Sequence, residues 1–75
     1  MASLPLLKPN LVVITLEKLG WEVARSRGSH IILTKAGHNA TLSIPNHREV
    51  ARGTLRSILN RAGVTVDEFV ETLEK

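Results

Sequence analysis

The 75-residue chain contains no cysteine and no tyrosine, one tryptophan, one phenylalanine and three prolines. Without thiols it can form neither a disulfide staple nor a thiolate zinc site, and their absence suits a reducing compartment. With two aromatic residues it cannot be the common kind of single-strand binder that stacks successive bases on a row of rings. No apolar run approaches the ~20 residues that span a bilayer. The block Leu11-Val12-Val13-Ile14 is soon followed by charge. The first nine residues lack the basic start and sustained apolar stretch of an export signal. These absences predict a soluble, cytoplasmic protein with no membrane contact. Its length predicts one domain over residues 1–75, with 1–7 as a flexible lead-in.

What is present is unevenly distributed charge. The net charge is +3. Residues 1–24 balance to zero. Residues 25–61 carry Arg25, Arg27, Lys35, Arg48, Arg52, Arg56 and Arg61 against Glu49 alone, a net +6. Residues 62–75 carry Asp67, Glu68, Glu71 and Glu74 against Lys75, a net −3. Six of the seven central cations are arginine, whose planar fork matches phosphate oxygens. A basic zone with an acidic end points to a polyanionic partner, with an ordinary solvated surface as the plainer alternative.

Periodicity predicts an α-β-β-β-α order with a short C-terminal helix. Lys8–Leu19 reads as a helix, with Pro9 in its first turn, Val12, Leu16 and Leu19 on one face, and Gly20 closing it. The β-branched run Val12-Val13-Ile14-Thr15 opposes that assignment. Trp21–Arg25 reads as a strand with Trp21 and Val23 on one face. His30–Lys35 follows, with Ile31 and Leu33 inward and His30, Ile32 and Thr34 outward. Ala40–Ile44 gives a third strand, with Ala40, Leu42 and Ile44 inward and Thr41 and Ser43 outward, ended by Pro45. Ile32 is out of place on that polar face. A helix begins near Arg52 or Gly53, with Leu55, Ile58, Leu59 and Ala62 as its apolar stripe. Arg56 and Asn60 lie to one side of the stripe and Arg61 to the other, and Gly63 closes the helix. Thr65 with Glu68 forms a capping box for a last helix that buries Val66, Phe69, Val70 and Leu73. The expected fold is therefore an α+β two-layer sandwich with the helices on one face of the sheet.

Between the first two strands lies Arg25-Ser26-Arg27-Gly28-Ser29-His30. It combines two guanidinium forks, a glycine that lets another backbone approach, a hydroxyl, and an imidazole suited to proton transfer near neutral pH. These are the parts a metal-free site needs to hold or cut a phosphodiester. Gly28 and Ser29 read equally as plain turn residues or as backbone amides facing a phosphate. Arg52 and Arg56, one turn apart at a helix start, could grip a backbone phosphate or simply be solvated. Three histidines without a thiolate or a nearby carboxylate make a poor metal site, so neither metal nor cofactor is expected. His38, in a turn beside Gly37 and Asn39, reads as solvent-exposed.

Three blocks carry a resemblance. Gly20-Trp21-x-x-x-Arg25-x-x-Gly28-Ser29-His30 is followed by Pro45-x-His47, then by Gly53-Thr54-Leu55-x-x-Ile58-Leu59-x-x-Ala62-Gly63 leading to Glu68-Phe69. From about Lys8 to Phe69 the chain resembles the HicA toxins (YcfA-like), small ribonucleases of bacterial toxin–antitoxin systems. The resemblance implies a fold like the double-stranded-RNA-binding domain and metal-independent cleavage of messenger RNA. It also implies a catalytic histidine, here His30, and neutralisation by a HicB-like antitoxin. On that reading His30 is the general base, while Arg25, Arg27, Gly28, Ser29, Arg52 and Arg56 bind RNA phosphates. His47, which matches the Pro-x-His position, is a secondary candidate for proton donor. Two rivals stand beside this reading. One is an RNA-binding module of the same fold without catalysis, and the other is an interaction domain whose basic face meets an acidic protein.

Overall fold

The computed structural model describes residues 3–75. Its first element, α1 (Pro9–Lys18), takes Pro9 at the N-terminus, where a missing N–H costs no hydrogen bond. The β-branched run that argues against a helix is accommodated by burial. Val12, Val13, Thr15 and Leu16 are all buried, and Thr15 Oγ1 donates to the carbonyl of Leu11 at 2.7 Å. Tertiary contact thus outweighs the few tenths of a kcal/mol per residue lost to helix propensity.

Three antiparallel strands follow in sequence order: β1 (Glu22–Arg27), β2 (His30–Thr34) and β3 (Leu42–Pro45). α2 (Arg52–Ala62) ends on Gly63 in the left-handed conformation, φ 73°. α3 (Val66–Leu73) starts with the expected capping box, in which Thr65 and Glu68 exchange two 3.0 Å bonds. α1 packs on β1 and β3, α2 packs on β3, and α3 packs against both other helices. Leu33, Leu42 and Ile44 project from the sheet into one core with Val12, Leu16, Leu55, Leu59 and Phe69. The molecule is an α+β helix–sheet sandwich. Its other sheet face is left open.

Three details depart from the sequence reading. The second and third strands are each shorter at one end, because Lys35, Ala40 and Thr41 stay outside the ladder. β1 begins at Glu22 and runs on to Arg27, and Trp21, fully buried, precedes it. Within β1 the register slips: Val23 pairs with Leu33 and Arg25 with Ile32, so Ala24 is an extra, bulged residue. Val23 does not share Trp21's burial. It stays 44% exposed at the sheet edge.

The lead-in, expected to be loose over residues 1–7, shows a different character from residue 3 onward; residues 1 and 2 lie outside the described residues. Leu4 and Leu7 are buried in the core. Val50 N–H donates to the Leu7 carbonyl at 2.8 Å, and Arg52 Nε donates to the Leu4 carbonyl at 2.8 Å. Leu4→Ala is therefore expected to lower stability by about 2–3 kcal/mol, measured by urea denaturation. A change below ~0.5 kcal/mol, the range of surface substitutions, would contradict the docking of this segment.

Trp21 is covered by a residue that reads as a simple turn position. The His38 ring lies 4.9 Å from the Trp21 ring, inclined at 58°. His38 Nδ1 accepts from the Ala40 N–H at 3.2 Å, which gives the neutral ring its proton on Nε2. Exposed as expected, His38 is also a lid on the core.

Candidate active site

β1 and β2 are joined by Gly28 and Ser29 alone, with Arg27 paired to His30. Gly28 has φ +59° and Ser29 does not share the positive sign, the signature of a II′ hairpin turn. A side chain at Gly28 would be strained by that backbone even though the space around it is open. The turn thus sets His30 directly across from Arg27.

The bulge decides where Arg25 points. In an unbroken ladder Arg25 would share the inward parity of Val23 and would have to reach around the sheet rim. The extra residue at Ala24 resets the alternation, so Arg25 pairs with Ile32 and faces outward. The open face therefore carries two rows. Arg27, His30 and Pro45 lie across the three strands at the hairpin end, and Arg25, Ile32 and Ser43 form the next row. Glu22 and Thr34 lie further from the turn. Arg25 and Ser43 are thus the diagonal neighbours of His30, within about 7–8 Å of it and in reach of long side chains. Ile32, out of place by polarity, is half-buried between Arg25 and Ser43. It forms the floor of this face.

His30, Arg25 and Arg27 are all exposed. Among the described residues no side-chain hydrogen bond or ion pair engages any of the three, and the surface pair Lys75–Glu71 lies at the far end of the chain. Among the described residues no acidic side chain pairs with either guanidinium group.

A second segment closes on the turn. Asn46 N–H donates to the Ser29 carbonyl at 2.6 Å, which continues the β2–β3 pairing past Pro45. It draws the exposed loop residues His47 and Arg48 to the hairpin end of the sheet. Sequence reasoning does not single out Arg48. Its only signal there is its place beside the Pro-x-His block.

Arg52 and Arg56 are elsewhere. Both stand on α2, in the helix layer behind the sheet. Arg52 is engaged with the Leu4 carbonyl, while Arg56 lines a hollow of about 510 Å³ at the α2–α3 corner with Asn60 and Gly63. The structure therefore brings Arg25, Arg27, Gly28, Ser29, His30 and His47 to one end of the molecule and leaves Arg52 and Arg56 apart from them. Among the described residues no group of three or more histidine, cysteine or acidic side chains could hold a metal ion. No helix among them is long and apolar enough to cross a membrane.

The fold and site together define a small α+β domain: a helix-backed three-stranded sheet with an exposed histidine–arginine cluster on its open face. The family model for the HicA toxin of bacterial toxin–antitoxin systems matches residues 11–64, more than two thirds of the chain. The protein belongs to the HicA toxin family, and as a toxin of a toxin–antitoxin system it has an antitoxin partner. No curated protein matches it significantly.

Proposed function

We propose that this chain is a metal-independent endoribonuclease that cleaves messenger RNA, with His30 as general base, and that a HicB-like antitoxin neutralises it. The observation that carries the reading is the exposed imidazole set directly across from Arg27 and diagonally from Arg25, on a face where no side chain among the described residues pairs with either cation. The neutral imidazole takes the proton of a ribose 2′-hydroxyl as that oxygen attacks the adjacent phosphorus. The P–O5′ bond breaks, leaving a 2′,3′-cyclic phosphate and a 5′-hydroxyl end. Arg27 and Arg25 hold the phosphate oxygens as negative charge builds on them, and the amides of Gly28 and Ser29 add donors at the turn. The departing 5′-oxygen takes a proton from His47 on the docked loop or from water.

The test is cleavage of single-stranded RNA by the purified chain in excess EDTA, with a fully 2′-deoxy strand of the same sequence beside it. Cutting of the RNA alone, with cyclic phosphate ends, is expected. Cutting that requires an added divalent ion, or that spares neither strand, would refute the mechanism. A chain that binds RNA in a salt-dependent way yet never cuts it would establish the binding-module rival instead. Arg27→Ala is expected to lower kcat by roughly a hundredfold to a thousandfold, as loss of one donor at a developing oxyanion does. Arg27→Lys should recover only part of the rate, since a lysine cannot make the two-pronged contact.

A further inference from the structure

Beyond the hairpin, the sheet has a second basic feature at its other edge. β3 is an edge strand. Beside it runs a groove of about 450 Å³ lined by Thr41, Ser43, Thr54, Ser57 and Arg61, with Leu42 and Ile58 at its base. Thr54, Ser57 and Arg61 follow one another along the side of α2 that faces β3, while Arg56 and Asn60 line the hollow on the opposite side. Arg61 does not swing freely. Its Nε donates to the Thr41 carbonyl at 3.1 Å, which fixes the guanidinium plane and leaves its terminal nitrogens to the groove.

We propose that this groove binds a phosphate of the same RNA strand that His30 acts on, with Arg61 as its anion-binding residue. The inference rests on RNA being the ligand of the hairpin face. Ser43 is the link: it faces outward beside Ile32, diagonal to His30, and also lines the groove. A strand entering over Arg25 and Arg27 and crossing Ile32 passes over the β3 edge at Ser43 and reaches the groove without a break. The donors there suit a phosphate. Ladder alternation turns the backbone N–H of Leu42 and Ile44 toward β2 and that of Ser43 outward, in a groove with four hydroxyl-bearing side chains and a guanidinium fork.

A peptide strand is the other occupant to weigh, and the edge disfavours it. β3 has four residues, Pro45 has no N–H to donate, and the Thr41 carbonyl is already taken by Arg61. One outward strand N–H is too little for an added strand, which draws its affinity from a run of main-chain bonds.

The test uses the full chain and single-stranded RNA made uncleavable by 2′-O-methyl groups, as a trinucleotide and as a nonamer, with affinity measured across a salt series. Arg61→Gln removes the cation, and Ser57→Glu puts a carboxylate in the groove while leaving the Arg61–Thr41 bond in place. Each should weaken nonamer binding about tenfold, the loss of one charged hydrogen-bonded contact. For Arg61→Gln the log–log salt slope should shrink by about 0.7, one phosphate's worth for a single strand. The trinucleotide, too short to reach the groove from the hairpin, should lose far less, so the advantage of length falls in both variants. Wild-type nonamer affinity and slope in both variants would overturn the groove assignment, and so would equal losses at both lengths. Capture of the antitoxin lost in Ser57→Glu, with nonamer affinity intact, would overturn it in favour of a protein partner. A wild-type chain that binds neither oligonucleotide would instead bring down the RNA reading itself.

Discussion

Replacing His30 with alanine is expected to slow cleavage of single-stranded RNA in EDTA by about 10²–10⁴-fold, the range that general base catalysis supplies. The side chain is exposed and makes no hydrogen bond within the described residues, so its removal leaves no buried group unpaired. Thermal stability should therefore stay close to that of the parent chain, as it does for surface substitutions. RNA affinity should fall little, because in the proposed mechanism the phosphate contacts are made by cations, which His30→Ala leaves in place. A fall in rate with folding and affinity retained distinguishes proton transfer from simple binding. Cleavage that continues unchanged in the alanine variant would remove His30 from the mechanism, leaving His47 as the imidazole to test next.

The largest effect on stability is expected at Phe69. It is fully buried on α3, beyond the residues 11–64 that match the family, where it completes the core formed by α1, α2 and the sheet. Phe69→Ala should cost about 3–5 kcal/mol through lost burial and the cavity left behind. At about 0.05–0.15 kcal/mol per residue, a 75-residue domain has only about 4–11 kcal/mol in all. Urea denaturation should therefore show a midpoint well below the parent's, falling to zero denaturant if the parent lies at the low end of that range. A variant that unfolds cooperatively with more than three quarters of the parent stability would show that α3 is an appendage rather than part of the core.

The two flanks of the family region were legible to different degrees. The C-terminal helix could be read from Thr65, Glu68 and the spacing of Phe69 because an N-cap and its stripe are encoded within one or two turns of each other. The N-terminal segment could not. Leu4 and Leu7 have no helical or strand period, and their burial depends on partners more than forty residues away, Val50 and Arg52. A short irregular segment carries no local mark of what it will pack against.

The candidate site divides in the same way. The turn at Gly28 and Ser29, the outward parity of His30 and the inward set Leu33, Leu42 and Ile44 follow from the alternation of side chains along single strands. Ile32, out of place there by polarity, keeps its outward position in β2, paired with Arg25 on one side and Ser43 on the other. Arg61, placed by helical period on the opposite side of α2 from Arg56, acquires meaning only when β3 lies against it.

By its amino-acid order alone the chain determined the succession of helix, three strands and helices, the tight bend beside His30, and the concentration of arginine in its middle. Only the tertiary structure decided that Arg25 joins His30 on one face, that the loop of His47 closes on Ser29, and that Arg52 and Arg56 stand behind the sheet. The physical reason is that periodicity reports a side chain's direction relative to its own strand or helix. Its direction in the folded molecule depends on pairing with residues distant in sequence, and one bulged residue, Ala24, is enough to reverse it.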